Sequence, residues 1–275
     1  MNNGALWTKC FRDSRLLLFF LAALVFGFNW LFVYVTSQID LAALKIFLNG
    51  LPKFFEKLAG VSFDSIATPR GRIAMAYGDP VVVFSVVIWA IGRGSDAVSG
   101  EIGRGTMEMI LAQPVKRLSV LAIQACVTVG GAALLTVAIL GGTAAGLATV
   151  PLDETLTWQH FLPGALNVFA MTMFLAGAST MVSSWDSYRW RTIGVMGGFY
   201  FAQLVFKMMG QTLPRFKWLL NFTFLTACEP QNLIVNTESS WTLSWQYDGT
   251  LIGLGLACYV VAAVIFCNRD LPAPL

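Results

Sequence analysis

The sequence has little charge and few of the residues that carry most enzymatic chemistry. Only 12% of its 275 residues are Asp, Glu, Lys or Arg, about half the share of an ordinary soluble domain. It has one histidine, His160, which excludes any mechanism built on a histidine pair. Its five cysteines show no CxxC and no clustering with histidine, which excludes a zinc site of the usual spacing and a disulfide framework. The net charge of +3 is too small to point to a nucleic-acid partner. What the chain does have is apolar surface: 56% hydrophobic residues and a mean hydropathy of +0.68. These numbers describe an integral membrane protein, and the long apolar runs make it all-α.

Charge-free runs locate the spans. Residues 16–39 form a run of 24, 118–152 one of 35, 155–185 one of 31 and 249–268 one of 20. Shorter runs extend across a charge, Pro80 to Gly92 across Arg93 or back across Asp79, and Thr192 to Phe206 across Lys207. A helix needs about 20 apolar residues to cross the hydrocarbon. The expected architecture is one membrane domain over 1–275 with six transmembrane helices, near 16–37, 79–99, 118–141, 161–183, 192–212 and 249–268. The third run would make a helix of about 52 Å if unbroken, so a break is expected at Gly141-Gly142. The first run is too long for the apolar part of a signal peptide and reads as a retained anchor.

Orientation follows from the basic residues. Segments 1–15, 93–117, 184–191 and 268–275 hold ten of the 18 Lys and Arg in less length than the opposite side has. Both termini are therefore expected in the cytoplasm, with the protein in the plasma (inner) membrane. Before the first span, Leu6, Trp7, Cys10 and Phe11 share one helical face, opposite Lys9, Arg12 and Arg15. That pattern suits an N-terminal interfacial helix or, alternatively, a frayed basic tail. Residues 40–70 alternate Leu44, Phe47, Leu48, Leu51, Phe54, Phe55 and Leu58 with Lys45, Lys53, Glu56 and Lys57. They read as an outer-face interfacial helix broken at Pro52. Trp218 to Cys228 is apolar but too short to cross, as a re-entrant segment before the last span would be.

Few residues offer chemistry. Asp79-Pro80 reads as a helix start, and Lys207 can extend toward headgroups from the outer end of its span. Gly177-Ala178-Ser179-Thr180 lacks the pattern of an intramembrane serine protease. No internal repeat supports a secondary carrier. The informative stretch joins spans two and three. Thr106 is placed to cap a helix over Met107–Gln113, Glu108 lies in its positive first turn, and Pro114 ends it. Met107, Ile110 and Leu111 make one apolar stripe. A helix this short needs support, from the lipid surface or from a groove in a cytoplasmic partner.

The pattern Glu-x-x-x-Gly-Thr-x-Glu-x-x-Leu-x-x-Pro-Val-x-Arg, Glu101 to Arg117, resembles the signature of type-2 ABC transporter permeases. Their six-span architecture, basic N-terminal helix and apolar piece before the sixth span match nearly the whole chain. The resemblance implies a permease subunit of an ATP-driven transporter, mostly exporters in that family. Its short loop helix is a coupling helix that docks on a cytoplasmic ABC ATPase subunit. It thereby implies coupling roles for Glu101, Gly105, Thr106, Glu108, Ile110, Leu111, Pro114 and Arg117. It also implies a dimer with a second copy or a paralogue. No Gly-x-x-x-x-Gly-Lys-Ser/Thr occurs in the chain, so hydrolysis, with its ATP and Mg, is expected on the partner and this polypeptide is expected not to be an enzyme. The alternative is an ABC-coupled membrane module that moves an outer-face protein partner, with residues 40–70 and 229–248 as its platform.

Overall fold

The computed structural model describes residues 3–39, 44, 46–48, 50, 52, 56, 61–150, 156–236 and 240–269, and its regular elements are all helical. Among the described residues, six stretches are long and apolar enough to cross a membrane: Gly4–Ser37, Pro69–Gly103, Arg117–Thr149, Trp158–Trp185, Arg189–Thr212 and Trp241–Asn268. Their helices are α1 (Asn3–Ser37), α2 (Pro69–Ala74), α3 (Pro80–Ser95), α5 (Arg117–Thr149), α6 (Leu162–Trp185), α7 (Arg189–Thr212) and α9 (Ser240–Asn268). The short helices between them include α4 (Thr106–Leu111) and α8 (Pro230–Val235).

Local chemistry sets several starts. Asp79 Oδ1 accepts the Val81 N–H at 2.9 Å with Pro80 in the first position of α3, the helix start its sequence promised. Thr68 caps α2 in the same way, accepting from Gly71 N at 3.0 Å. His160 also caps: the Thr157 N–H donates to its Nδ1 at 3.2 Å, closing the 3-10 turn that leads into α6.

The core is organised around α6, the most buried span, which lies along α9 and packs across α3. A second long pairing sets α1 against α5. Small residues let the backbones approach, as is usual between helices in lipid. A Cβ on Gly177 would stand 2.5 Å from the Gly255 carbonyl oxygen, and one on Gly146 2.6 Å from Val33 Cβ.

Several expectations change. The break at Gly141-Gly142 does not occur, and α5 runs unbroken for 33 residues. Gly142 faces the Phe26 carbonyl of α1, so these glycines serve contact rather than interruption, and the packed neighbour offsets their poor helix propensity. The N-terminal segment is not a separate interfacial helix, because α1 is continuous from Asn3. Its Leu6 and Cys10 are buried against Ile110, Val120 and Ile123, which give that apolar face a protein surface to cover it. The last helix starts at Ser240, nine residues earlier than expected, because Asp248 is accommodated. Asn167 Nδ2 donates to Asp248 Oδ1 at 2.8 Å and Ser244 Oγ to Oδ2 at 2.6 Å. In the 40–70 segment, Leu48 is buried and Phe47 exposed; Lys45, Leu51, Lys53, Phe54, Phe55, Lys57 and Leu58 lie outside the described residues.

Candidate functional site

The connection between α3 and α5 is held by ion pairs from three directions. It leaves α3 through a π-helical turn, Asp96–Gly100, a form that often marks functional positions. In that turn the Val98 and Ser99 N–H groups donate to Ser183 Oγ of α6 at 3.2 and 2.9 Å. Asp96 lies within 2.6 Å of Arg104, 3.3 Å of Arg189 at the start of α7 and 3.6 Å of Arg93. Its hydrogen bond raises the Arg104 guanidinium above its ordinary pKa. Arg93 is itself buried and donates to Gln124 Oε1 of α5 at 2.8 Å.

Glu101 is the second hub. Its carboxylate is buried, pairs with Lys9 of α1 and with Arg104 at 3.2 Å, and accepts a bond from the Thr106 hydroxyl. Thr106 therefore does not cap α4. Its hydroxyl is taken by Glu101, including the carbonyl oxygen at 3.1 Å, and the residue before the helix is Gly105 with φ +69°. A Cβ at Gly105 would meet no atom within 4 Å, so only the backbone demands glycine there. Gly105→Val is expected to cost about 1–2 kcal/mol, the penalty of a left-handed L-residue, whereas Gly105→Asn should cost less. Thermal unfolding of the two variants in nanodiscs checks this, and equal midpoints would refute it.

The helix itself is six residues long and lies with its apolar stripe inward. Ile110 packs on Leu6 and Cys10 of α1 and on Val120, Ile123 and Val127 of α5. Met107 packs on Val98, Leu121 and, from α9, Ala262 and Phe266. Support for the short helix thus comes from neither of the two expected sources but from the chain's own α1, α5 and α9. Leu111 is half-buried between the two clusters. Arg117 turns away, donating to the Arg269 carbonyl at 2.6 Å at the end of α9. Glu108 is half-buried, and Pro114 is exposed. What remains outward is a ridge of Met109, Ala112, Gln113 and Pro114, with Met109 64% exposed.

Sequence reasoning missed Asp96, Lys9 and Arg189 as members of this cluster. The i, i+3 spacings Arg93–Asp96 and Glu101–Arg104 were visible signals; the pairing of Lys9 with a residue 92 positions away was not.

The family model for ABC-2 family transporter protein matches residues 7–271, which include every residue of this cluster. The chain belongs to the ABC-2 transporter family. No curated protein matches it. As an ABC-2 chain it is an integral membrane protein and the membrane component of a transporter, and the family implies an ATP-binding subunit as partner.

Proposed function

We propose that this ABC-2 chain is the permease subunit of an exporter in the plasma membrane, with both termini cytoplasmic, working as a dimer with a second copy or a paralogue. A separate cytoplasmic ATPase, which binds the ATP and Mg, docks on the Met109–Pro114 ridge. The observation that carries the reading is the way α4 is held. Its inner face is fixed by Met107 and Ile110, while Glu101 and Asp96 tie it to α1, α3 and α7. A push on the ridge therefore reaches three spans at once, as coupling requires. Glu101, Gly105, Thr106 and Arg117 act in this scheme as positioning residues, and Met109, Ala112, Gln113 and Pro114 as the contact surface.

The competing module reading uses 40–70 and 229–248 as a platform; in the second stretch Leu233, Ile234 and Asp248 are buried, while Trp241 and Trp245 are exposed.

The experiment compares Met109→Asp with Ile110→Asp. Met109→Asp places a charge on the exposed ridge and is expected to leave thermal stability unchanged while abolishing co-purification with the ATPase subunit. Ile110→Asp buries an unpaired charge among Leu6, Val120 and Ile123 and is expected to destabilise the permease itself by several kcal/mol. Undiminished ATPase binding by Met109→Asp would place the docking surface elsewhere.

A further inference from the structure

A cleft of ≈ 430 Å³ lies between α3, α6 and α7 and is closed at one end by the turn leading into α8. Helix α7 lines it with Tyr200, Leu204, Lys207 and Gln211, one stripe at helical spacing. From Tyr200 to Gln211 the stripe runs about 16 Å along the axis, so the cleft is elongated. Toward Leu204 its wall is apolar, completed by Val83, Val168 and Met171. Toward Gln211 it is polar, with Glu229, Gln231 and Asn232 facing Lys207. Phe84 and Met208, each about half exposed, flank the opening on the outside of the helix bundle.

The charges at the polar end are already spent on each other. Lys207 does not extend toward headgroups as its sequence position suggested. Its ammonium donates to the Leu225 and Cys228 carbonyls at 2.8 and 3.1 Å and lies 3.6 Å from Glu229 Oε1. The returning 213–228 segment brings those acceptors within reach. Glu229 Oε2 accepts from Asn232 at 3.1 Å, and Asn232 Oδ1 from Asn236 at 2.6 Å. Burial pushes the Cys228 thiol up to about 11, so it adds no charge. Three groups lining the cleft make no hydrogen bond among the described residues: the Tyr200 hydroxyl and the Gln211 and Gln231 amides. All three are uncharged. The Gln231 amide lies over Gly78, where any Cβ would displace it, so its place beside the cleft depends on that glycine.

From these groups we infer that the cleft binds an amphiphile, its apolar tail along Val83, Val168 and Leu204 and an uncharged, hydrogen-bonding headgroup at Gln211 and Gln231. A charged headgroup would meet a like charge, Glu229 or Lys207, and break a satisfied pair, whereas hydroxyls or amides would complete the two idle amides at that end. As the substrate class of the exporter, the assignment rests on the transporter reading above; as a binding site it stands separately.

The test uses the full chain in phosphatidylcholine nanodiscs without ATPase or ATP. Dodecyl glucoside, dodecyl sulfate and dodecyltrimethylammonium, each with a diazirine on the tail, are photolysed and the labelled peptides mapped. The glucoside is expected to label the peptides holding Val168 and Leu204 saturably, well above both charged probes. Gln211→Leu with Gln231→Leu should weaken glucoside binding about tenfold, the worth of two hydrogen bonds. Leu204→Trp, which fills the tail end and leaves the polar end intact, should remove labelling. Equal labelling by all three probes, or labelling that survives Leu204→Trp, overturns the site. Neither result bears on ATPase docking, which Met109→Asp tests on its own.

Discussion

Asp96→Asn is expected to be the most damaging conservative exchange in the loop, costing about 3–5 kcal/mol of stability. The side chain is nearly isosteric, so packing is not the cause. What changes is that three guanidinium groups, Arg93, Arg104 and Arg189, lose their shared carboxylate. Arg104 and Arg189 are over 40% exposed, and water will replace most of what they lose. Arg93 cannot be rehydrated: its side chain is 5% exposed, and its Nε already lacks a hydrogen-bond partner. It would be left as a buried cation held only by Gln124. The charge-balanced double variant Asp96→Asn/Arg93→Met should therefore recover more than half of the loss, since it removes the stranded charge. Thermal unfolding of the three proteins in nanodiscs measures this, with ATP turnover of the assembled complex as the functional readout. A single variant as stable as the parent, or a double variant no better than the single, would show that Asp96 is not the hub.

Gly177→Ala is the second large effect, and its sign is the informative part. Alanine is the better helix former by about 1 kcal/mol, so propensity alone predicts stabilisation. Contact predicts the reverse. The new methyl would stand 2.5 Å from the Gly255 carbonyl oxygen, a backbone atom that can retreat only if α9 moves off α6. A forced separation of this kind costs about 1–3 kcal/mol, and Gly177→Leu should exceed that. The control is Gly197→Ala on α7, where a Cβ meets nothing within 4 Å. It should be neutral or slightly stabilising. Opposite signs for the two exchanges in the same thermal assay support the α6–α9 contact; stabilisation by both would mean the helices are not in contact there.

Sequence by itself determined the six spans, the helix start at Asp79, and the family-specific loop from Glu101 to Arg117. Each of these depends on a few neighbouring residues: a window of apolar side chains, a cap and its amide, a short pattern. Only the tertiary structure decided which way those elements face. The Met107 and Ile110 stripe is recognisable as apolar from spacing, but periodicity does not say whether lipid, a partner or the chain's own α1 will cover it. Lys207 turns inward because a segment about 20 residues later presents the Leu225 and Cys228 carbonyls to it, and transfer energies calculated span by span contain no such term. Gly142 is a poor helix former in isolation and a helix contact once α1 lies against it. The ionic cluster joins Lys9, Asp96, Glu101 and Arg189 through pairs up to 93 positions apart in sequence. Such pairing depends on Coulomb energies that act over a few ångströms, and those distances exist only after the helices have packed.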